Sequence, residues 1–499
     1  MRNSLLIFAL SSALFCVFNF TAQAESSRPN IIIILADDMG YGDVASQNPA
    51  SKVPTPHIDA MATQGMRFTD AHSPSAVCTP TRYGILTGTY CWRTALKKSV
   101  LWPWDLPLIA EETLTLPAML KEQGYATACI GKWHLGWDWS TKDGTDIKSA
   151  IEPGIYQKDV REKLGHKIDF TKPIGGGPTA RGFDIYFGDD VPNFPPYCFI
   201  ENDRTLGIPT VEKPKEMFGN PGLMLPDWDL TQVMPTITEK AVDYIRTADS
   251  DKPFFLYFPL TAPHTPIAPT DQFKGKSQAH HYGDFIMEVD WVVGQIQEAL
   301  KESGQLDNTF LIFTSDNGSP GRDGSNMSGG VSTVRKYGHN PSHIYRGTKA
   351  DIWEGGHRVP FIAQWPGRIP KGKHTSELIG LQDLMATIAT VTGYDLPERV
   401  AVDSQNVLPA LLGKDLDQPI RETLVHHSVN GMFAIRQGKW KYIQGQGSGG
   451  WSRDKTEANM PGQLYDLDAD PGETTNLYTQ EPEVAERLEG MLEGVKAKG

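Results

Sequence analysis

The segment NIIIILADDMGYGD, residues 30–43, decides the architecture. Five consecutive apolar residues, Ile31 to Leu35, predict a strand buried on both faces, and it stops at two adjacent carboxylates and two glycines. A similar unit, TFLIFTSDNGSPG, returns at 309–321 and runs Phe310 to Phe313 into Asp316 and Asn317. Two further apolar runs end in polar clusters: YATACIGKWHLG with Lys132 and His134, and PFFLYFPLTAPHTPIAP with His264. VPFIAQWPG, from Val359, reads as another buried strand.

Amphipathic helical stretches lie between these runs: HIDAMATQGM, LPAMLKEQG and DFIMEVDWVVGQIQEALKESG. The last repeats apolar residues at Phe285, Ile286, Val289, Val292, Val293, Ile296 and Leu300, the 3.6-residue period of a helix packed on a sheet. Strands alternating with such helices predict an α/β fold with a large, mostly parallel sheet. Open sheets of this type bind ligands beyond the carboxyl ends of their strands, where all four polar clusters fall.

From about Arg421 the texture changes to short strands with Gly and Asn turns, followed by a terminal amphipathic helix in EVAERLEGMLEGVKA. We read residues 25–415 as the catalytic unit and 416–499 as a small antiparallel-sheet subdomain with a terminal helix. Residues 139–235 are rich in Gly, Pro and aromatics and weakly periodic, which predicts surface excursions around a substrate mouth or irregular packing.

The first 24 residues carry one positive charge, an apolar run from Leu5 to Phe20 and small residues at Ala22 and Ala24, the pattern of a cleaved export signal. The run is too short for a spanning helix and is followed by polar residues, so stable membrane insertion is not expected. Phe15 before Cys16 argues against a lipid anchor. An exported protein, periplasmic or secreted, is expected. The formal charge of −13, which becomes −14 when Arg2 leaves, disfavours nonspecific nucleic-acid binding but leaves room for a local cationic site. Four cysteines remain, Cys78, Cys91, Cys129 and Cys198, too few for a disulfide-built fold in a chain of this length.

Asp37, Asp38, Asp316 and Asn317 are hard oxygen donors brought together by two strand ends, and crowded carboxylates need a cation such as Ca²⁺ or Mg²⁺ between them. Arg82, Lys132, His134, His264 and Lys349 form an opposing basic set suited to an oxyanion such as sulfate or phosphate. A soft, oxidisable thiol at Cys78 fits poorly beside such a cation.

The segment Cys78-Thr79-Pro80-Thr81-Arg82, trailed by Leu86-Thr87-Gly88, resembles the signature of the type I sulfatases, and GYATACIGKWHLG (124–136) is similar to their second signature. With Asp37-Asp38, Pro263-His264, Asp316-Asn317-Gly318 and Lys349, the resemblance spans about residues 29 to 360 in order, nearest to the arylsulfatase and N-acetylgalactosamine-6-sulfatase-like members. It implies an alkaline-phosphatase-like sulfatase fold and conversion of Cys78 to Cα-formylglycine by a cysteine-modifying, formylglycine-generating enzyme.

By that resemblance, one Ca²⁺ is held by Asp37, Asp38, Asp316, Asn317 and residue 78. A hydroxyl of the hydrated aldehyde attacks sulfur to give a sulfated intermediate. Arg82 supports residue 78, Lys132 and Lys349 bind the sulfate, His264 protonates the leaving oxygen, and His134 deprotonates the second hydroxyl to expel sulfate. The other three cysteines allow at most one disulfide. The implied substrate is a sulfated carbohydrate of galactose or N-acetylgalactosamine type, with Trp102, Trp104, Arg181, Asp189, Asp190, Tyr197 and His426 as candidates for its pocket. The residues alone leave open a phosphatase or phosphonate hydrolase, and a sulfated-glycan binder without turnover.

Overall fold

The computed structural model describes residues 28–453 and 460–498, so the expected export signal lies outside the described residues. The central element is a ten-stranded mixed sheet. The quoted segment forms its middle strand, Asn30–Ala36, paired in parallel with Phe254–Pro259 on one side and Thr309–Ser315 on the other. Ala126–Ile130 pairs in parallel with Phe254–Pro259, and Ile185–Gly188 extends the parallel set. Phe361–Gln364 runs antiparallel to Thr309–Ser315 and turns the far edge of the sheet into a mixed one.

Continuous apolar strands arise because both faces are covered. Ile31, Ile33 and Leu35 point into one core with Leu116, Met119 and Met385, while Ile32 and Ile34 point into the other with Val289, Val293 and Ile296. All seven periodic residues of the helix His280–Glu302 are buried. It packs beside Val233–Thr247, a helix not among the stretches named from the sequence although Val233, Ile237, Ala241 and Ile245 give it an apolar face.

The 139–235 stretch is more internal than surface excursions would be. Trp139, Ile168, Phe170 and Phe183 belong to the core, and Ile185–Gly188 is a sheet strand. A four-stranded antiparallel sheet from Leu424–His427 to Gln463–Asp466 follows, covered on one side by the terminal helix Pro482–Ala497 through Ala485, Leu488 and Leu492. Tyr90 and Trp92 join that cluster, and Arg421 donates to Asp383, so this sheet is docked tightly on the larger unit. Among the described residues, no helix is long and apolar enough to cross a membrane. The four described cysteines are buried and unbridged, so the one disulfide that the count allowed is not formed.

Candidate active site

Four parallel strands end on the same edge of the sheet and deliver the polar residues. After Ala36 the backbone leaves the sheet, the Asp37 amide donates to Ala262, and Asp38 takes a left-handed conformation with φ 71°. The Asp38 amide donates to Asp316 Oδ1 at 3.1 Å, joining two strand ends almost three hundred residues apart in sequence. The Ala126–Ile130 strand turns through Gly131, φ 120°, where a Cβ would lie 2.0 Å from the Pro259 carbonyl oxygen; only glycine fits. That turn aims Lys132 at Asp37.

The result is a buried lattice of opposite charges. Lys132 Nζ donates to Asp37 Oδ2 at 2.7 Å, Lys349 Nζ to Asp38 Oδ1 at 2.5 Å, and Arg82 Nη2 and Nε to Asp316 Oδ2 at 2.7 and 3.1 Å. Arg82 is fully buried and also lies 3.7 Å from Asp37. Three carboxylates thus face three permanent cations. Asp38 has its pKa lowered although burial acts to raise it, because the charge and hydrogen bond of Lys349 outweigh that cost. Asp316 is raised, with burial and the neighbouring Asp37 charge exceeding the pull of Arg82.

Two buried oxygens, Asp37 Oδ1 and Asn317 Oδ1, have no hydrogen-bond partner. Orphaned oxygens beside crowded carboxylates are costly unless a hard cation accepts them, so the donor set fits one. Ligand atoms of Asp37, Cys78 and Asp316 lie within 4.8 Å of one another, as do those of Asp37, Asp38 and His264.

Cys78 opens the helix Cys78–Thr87, which seats it in the pocket floor at 3 % exposure. Burial raises its thiol pKa, so an unmodified thiol here is a poor nucleophile. His134, φ 57°, sends Nε2 to the Leu101 carbonyl at 2.9 Å; a carbonyl only accepts, so Nε2 carries the proton and the buried, unpartnered Nδ1 offers a lone pair. His264 likewise donates Nδ1–H to Thr265 O at 2.6 Å, leaving Nε2 3.8 Å from Asp38. Burial and adjacent cations hold both imidazoles well below their usual pKa.

These residues meet at a cavity of about 280 Å³ lined by Cys78, His134, His264 and Lys349. Of the candidates for a sugar pocket, Trp102 lines it, stacked 5.5 Å from Phe194. Asp190 sits behind it, accepting from the His134 amide and the Trp137 indole. Asp189 is buried behind Lys132, and burial pushes its carboxyl up to about 7. The others are structural: Trp104 donates to Arg161 O, Arg181 to Ile109 O, and Tyr197 to Asn220 O. His426 stacks on His357 under the antiparallel sheet. Sequence reasoning missed Asn193, Phe194, Arg322 and Trp451, all in the cavity wall. They stand in loops without periodicity, and Trp451 comes from the C-terminal region.

Comparison with known proteins identifies the family. The sulfatase family model matches residues 29–394, and the model of the N-sulphoglucosamine sulphohydrolase C-terminal region matches 348–498. An N-acetylgalactosamine-6-O-sulfatase of Bacteroides thetaiotaomicron is 36% identical, over 95% of this chain and 94% of its own. Bovine (Bos taurus) arylsulfatase A is 32% identical, over 95% and 89%. A solved Bacteroides thetaiotaomicron structure, described with the metabolism of multiple glycosaminoglycans, superposes with TM-score 0.79 at 34% identity, over 95% of this chain and all of that one. A fold, a strand-end constellation and family models that agree over almost the whole chain lead to one conclusion: the chain belongs to the sulfatase family and is a sulfuric ester hydrolase.

Proposed function

We propose that this exported enzyme hydrolyses the sulfate ester of a galactose- or N-acetylgalactosamine-type sugar, using residue 78 as formylglycine. The observation that carries the reading is the ring of Arg82, Lys132, His134, His264 and Lys349 around residue 78 at the end of four parallel strands. The N-acetylgalactosamine-6-O-sulfatase relative supports the sugar.

Asp37, Asp38, Asp316, Asn317 and the modified residue 78 would hold Ca²⁺, which when bound supplies Lewis-acid polarisation and lowers the pKa of a nucleophilic hydroxyl. Formylglycine, once hydrated, supplies that hydroxyl and a second one for release of the product. Lys132 and Lys349 bind the sulfate oxygens and screen the charge that develops there. Arg82, locked on Asp316, keeps residue 78 and the carboxylates in register. His264, whose Nδ1–H is committed to Thr265 O, has Nε2 left to carry the proton that it passes to the departing alcohol oxygen. His134 presents the Nδ1 lone pair to accept the proton of the second hydroxyl as sulfate leaves. Net, one water and one ester give the alcohol, sulfate and a proton.

Mass spectrometry of the tryptic peptide 68–82 from the native host tests the nucleophile. The expected change is exchange of sulfur for oxygen with loss of two hydrogens, together with capture by aldehyde reagents. Full sulfate release from protein carrying only unmodified Cys78 would overturn it. Sulfate release from 6-sulfated N-acetylgalactosamine, against other sulfated sugars, tests the substrate.

A further inference from the structure

Arg322 does not behave like the buried arginines elsewhere in the chain. Arg82 is paired with Asp316, Arg161 with Asp105, and Arg358 and Arg436 with Asp70. Arg322 lines the cavity, is half-buried, and among the described residues makes no ion pair within 4.0 Å, the Asp38 carboxylate acting on it only from a longer distance. Only its Nη1 is engaged, donating to Gly329 O at 2.6 Å and Ser328 Oγ at 3.3 Å. Nε and Nη2 have no protein acceptor among the described residues. Neither nitrogen is among the buried, unsatisfied atoms, so both keep access to the water of the cavity and can exchange it for an anionic ligand.

The side chain is also held in place. The loop that carries it is closed by the Gly324 amide on Ser328 O, the Ser325 amide on Asp323, and the Val334 amide on Gly321 O. Trp451 stands beside it, its ring 5.9 Å from the Arg322 guanidinium and 6.0 Å from Lys349 Nζ. Asp351 fixes that tryptophan by accepting its amide at 2.8 Å. The indole is therefore close both to the cation assigned to the sulfate under attack and to a second cation with free donors. An aromatic face for a sugar ring and a preorganised fork for an anion stand side by side.

We propose that Arg322 and Trp451 form an anion-reading subsite, and that the preferred substrate carries a second negative group, a carboxylate or a further sulfate, beside the sulfate ester that is cleaved. This deepens the proposed function and rests on it. An arginine fork suits both anions, so the shared chemistry is a planar or tetrahedral oxyanion within one sugar ring of the scissile sulfate.

The test measures kcat and KM of wild-type, Arg322→Gln and Arg322→Lys enzyme, each with residue 78 modified and each checked for an unchanged melting midpoint. The probes are N-acetylgalactosamine 6-sulfate, N-acetylgalactosamine 4,6-disulfate, and a 6-sulfated disaccharide with a neighbouring hexuronate. Wild type is expected to prefer one doubly charged probe by at least about tenfold in kcat/KM, the value of one charge-assisted contact. Arg322→Gln should erase that preference through KM, leaving the singly charged probe within about threefold, and Arg322→Lys should recover part of it. The favoured probe tells carboxylate from sulfate. Equal slowing of all probes by Arg322→Gln would place Arg322 on the scissile sulfate and overturn the proposal, as would a wild type without preference. A wild type inert on every probe while active on 4-nitrophenyl sulfate would instead remove the sugar reading, and the subsite with it.

Discussion

Replacing Lys132 with methionine keeps an apolar stem of the same reach as far as Cε and removes the charged Nζ. In the structure that charge sits 2.7 Å from Asp37 Oδ2, with both side chains fully buried. Without it, Asp37 retains only Arg82 at 3.7 Å, and three carboxylates face two cations. Breaking one partner from a buried pair costs about 3–5 kcal/mol. Unfolding entropy near 2.1 cal/mol/K per residue gives about 1 kcal/mol per kelvin for a chain of this length, so the melting midpoint should fall by about 3–5 °C. Calcium should narrow the gap, because an unpaired Asp37 binds the cation more strongly; saturation at a hundredfold excess over Kd is worth about 2.7 kcal/mol. The sulfate also loses a donor, which predicts a fall in kcat of about 10²–10³. Calorimetry with and without calcium, beside sulfate release, checks both. A Lys132→Met protein that melts with the wild type and turns over at a third of its rate or more would refute the charge argument.

Cys78→Ala should abolish turnover, with a midpoint shift small enough to show that the pocket is intact, measured by sulfate release and calorimetry. His264→Ala should slow a sugar sulfate by about 10²–10⁴ but 4-nitrophenyl sulfate far less, because a nitrophenolate leaves without a proton; equal losses on the two would refute its role at the leaving oxygen. Removal of divalent ions by a chelator should stop catalysis and lower the midpoint, with recovery on adding calcium but not on adding zinc, a softer ion. Glu288, buried in the long helix, has its pKa raised to about 7 by burial. An acid whose folded pKa is raised costs stability increasingly as pH climbs from about 4.5 to about 7 and no further. Glu288→Gln should therefore match the wild type near pH 4.5 and exceed it by on the order of 3 kcal/mol above pH 7, read from denaturant unfolding at the two pH values.

The strands, the long helix and the acidic and basic clusters were legible because each rests on local pattern. Ile31–Leu35 is uniformly apolar since both faces of a parallel strand are covered, and Asp37, Lys132, His264 and Asp316 mark strand ends where such sheets place chemistry. The Ile185–Gly188 strand was obscured by surroundings in which Gly, Pro and aromatics break any period, whereas the Val233–Thr247 helix carries a helical period of its own at Val233, Ile237, Ala241 and Ile245. Trp104, Arg181, Tyr197 and His426 show the converse: residue types that suit a sugar pocket satisfy the backbone or each other instead.

By itself the chain's order of residues determined the fold class, the ends of the central strands and the residues that surround position 78, because periodicity and strand-end polarity are properties of neighbours in sequence. Only the tertiary structure decided which oxygens of Asp37 and Asn317 lack partners, which nitrogen of His134 is free, and that Arg322 and Trp451 close the pocket from loops far apart in the chain. Those are facts of which donor meets which acceptor across the folded core, and local sequence pattern carries no distance between residues three hundred positions apart.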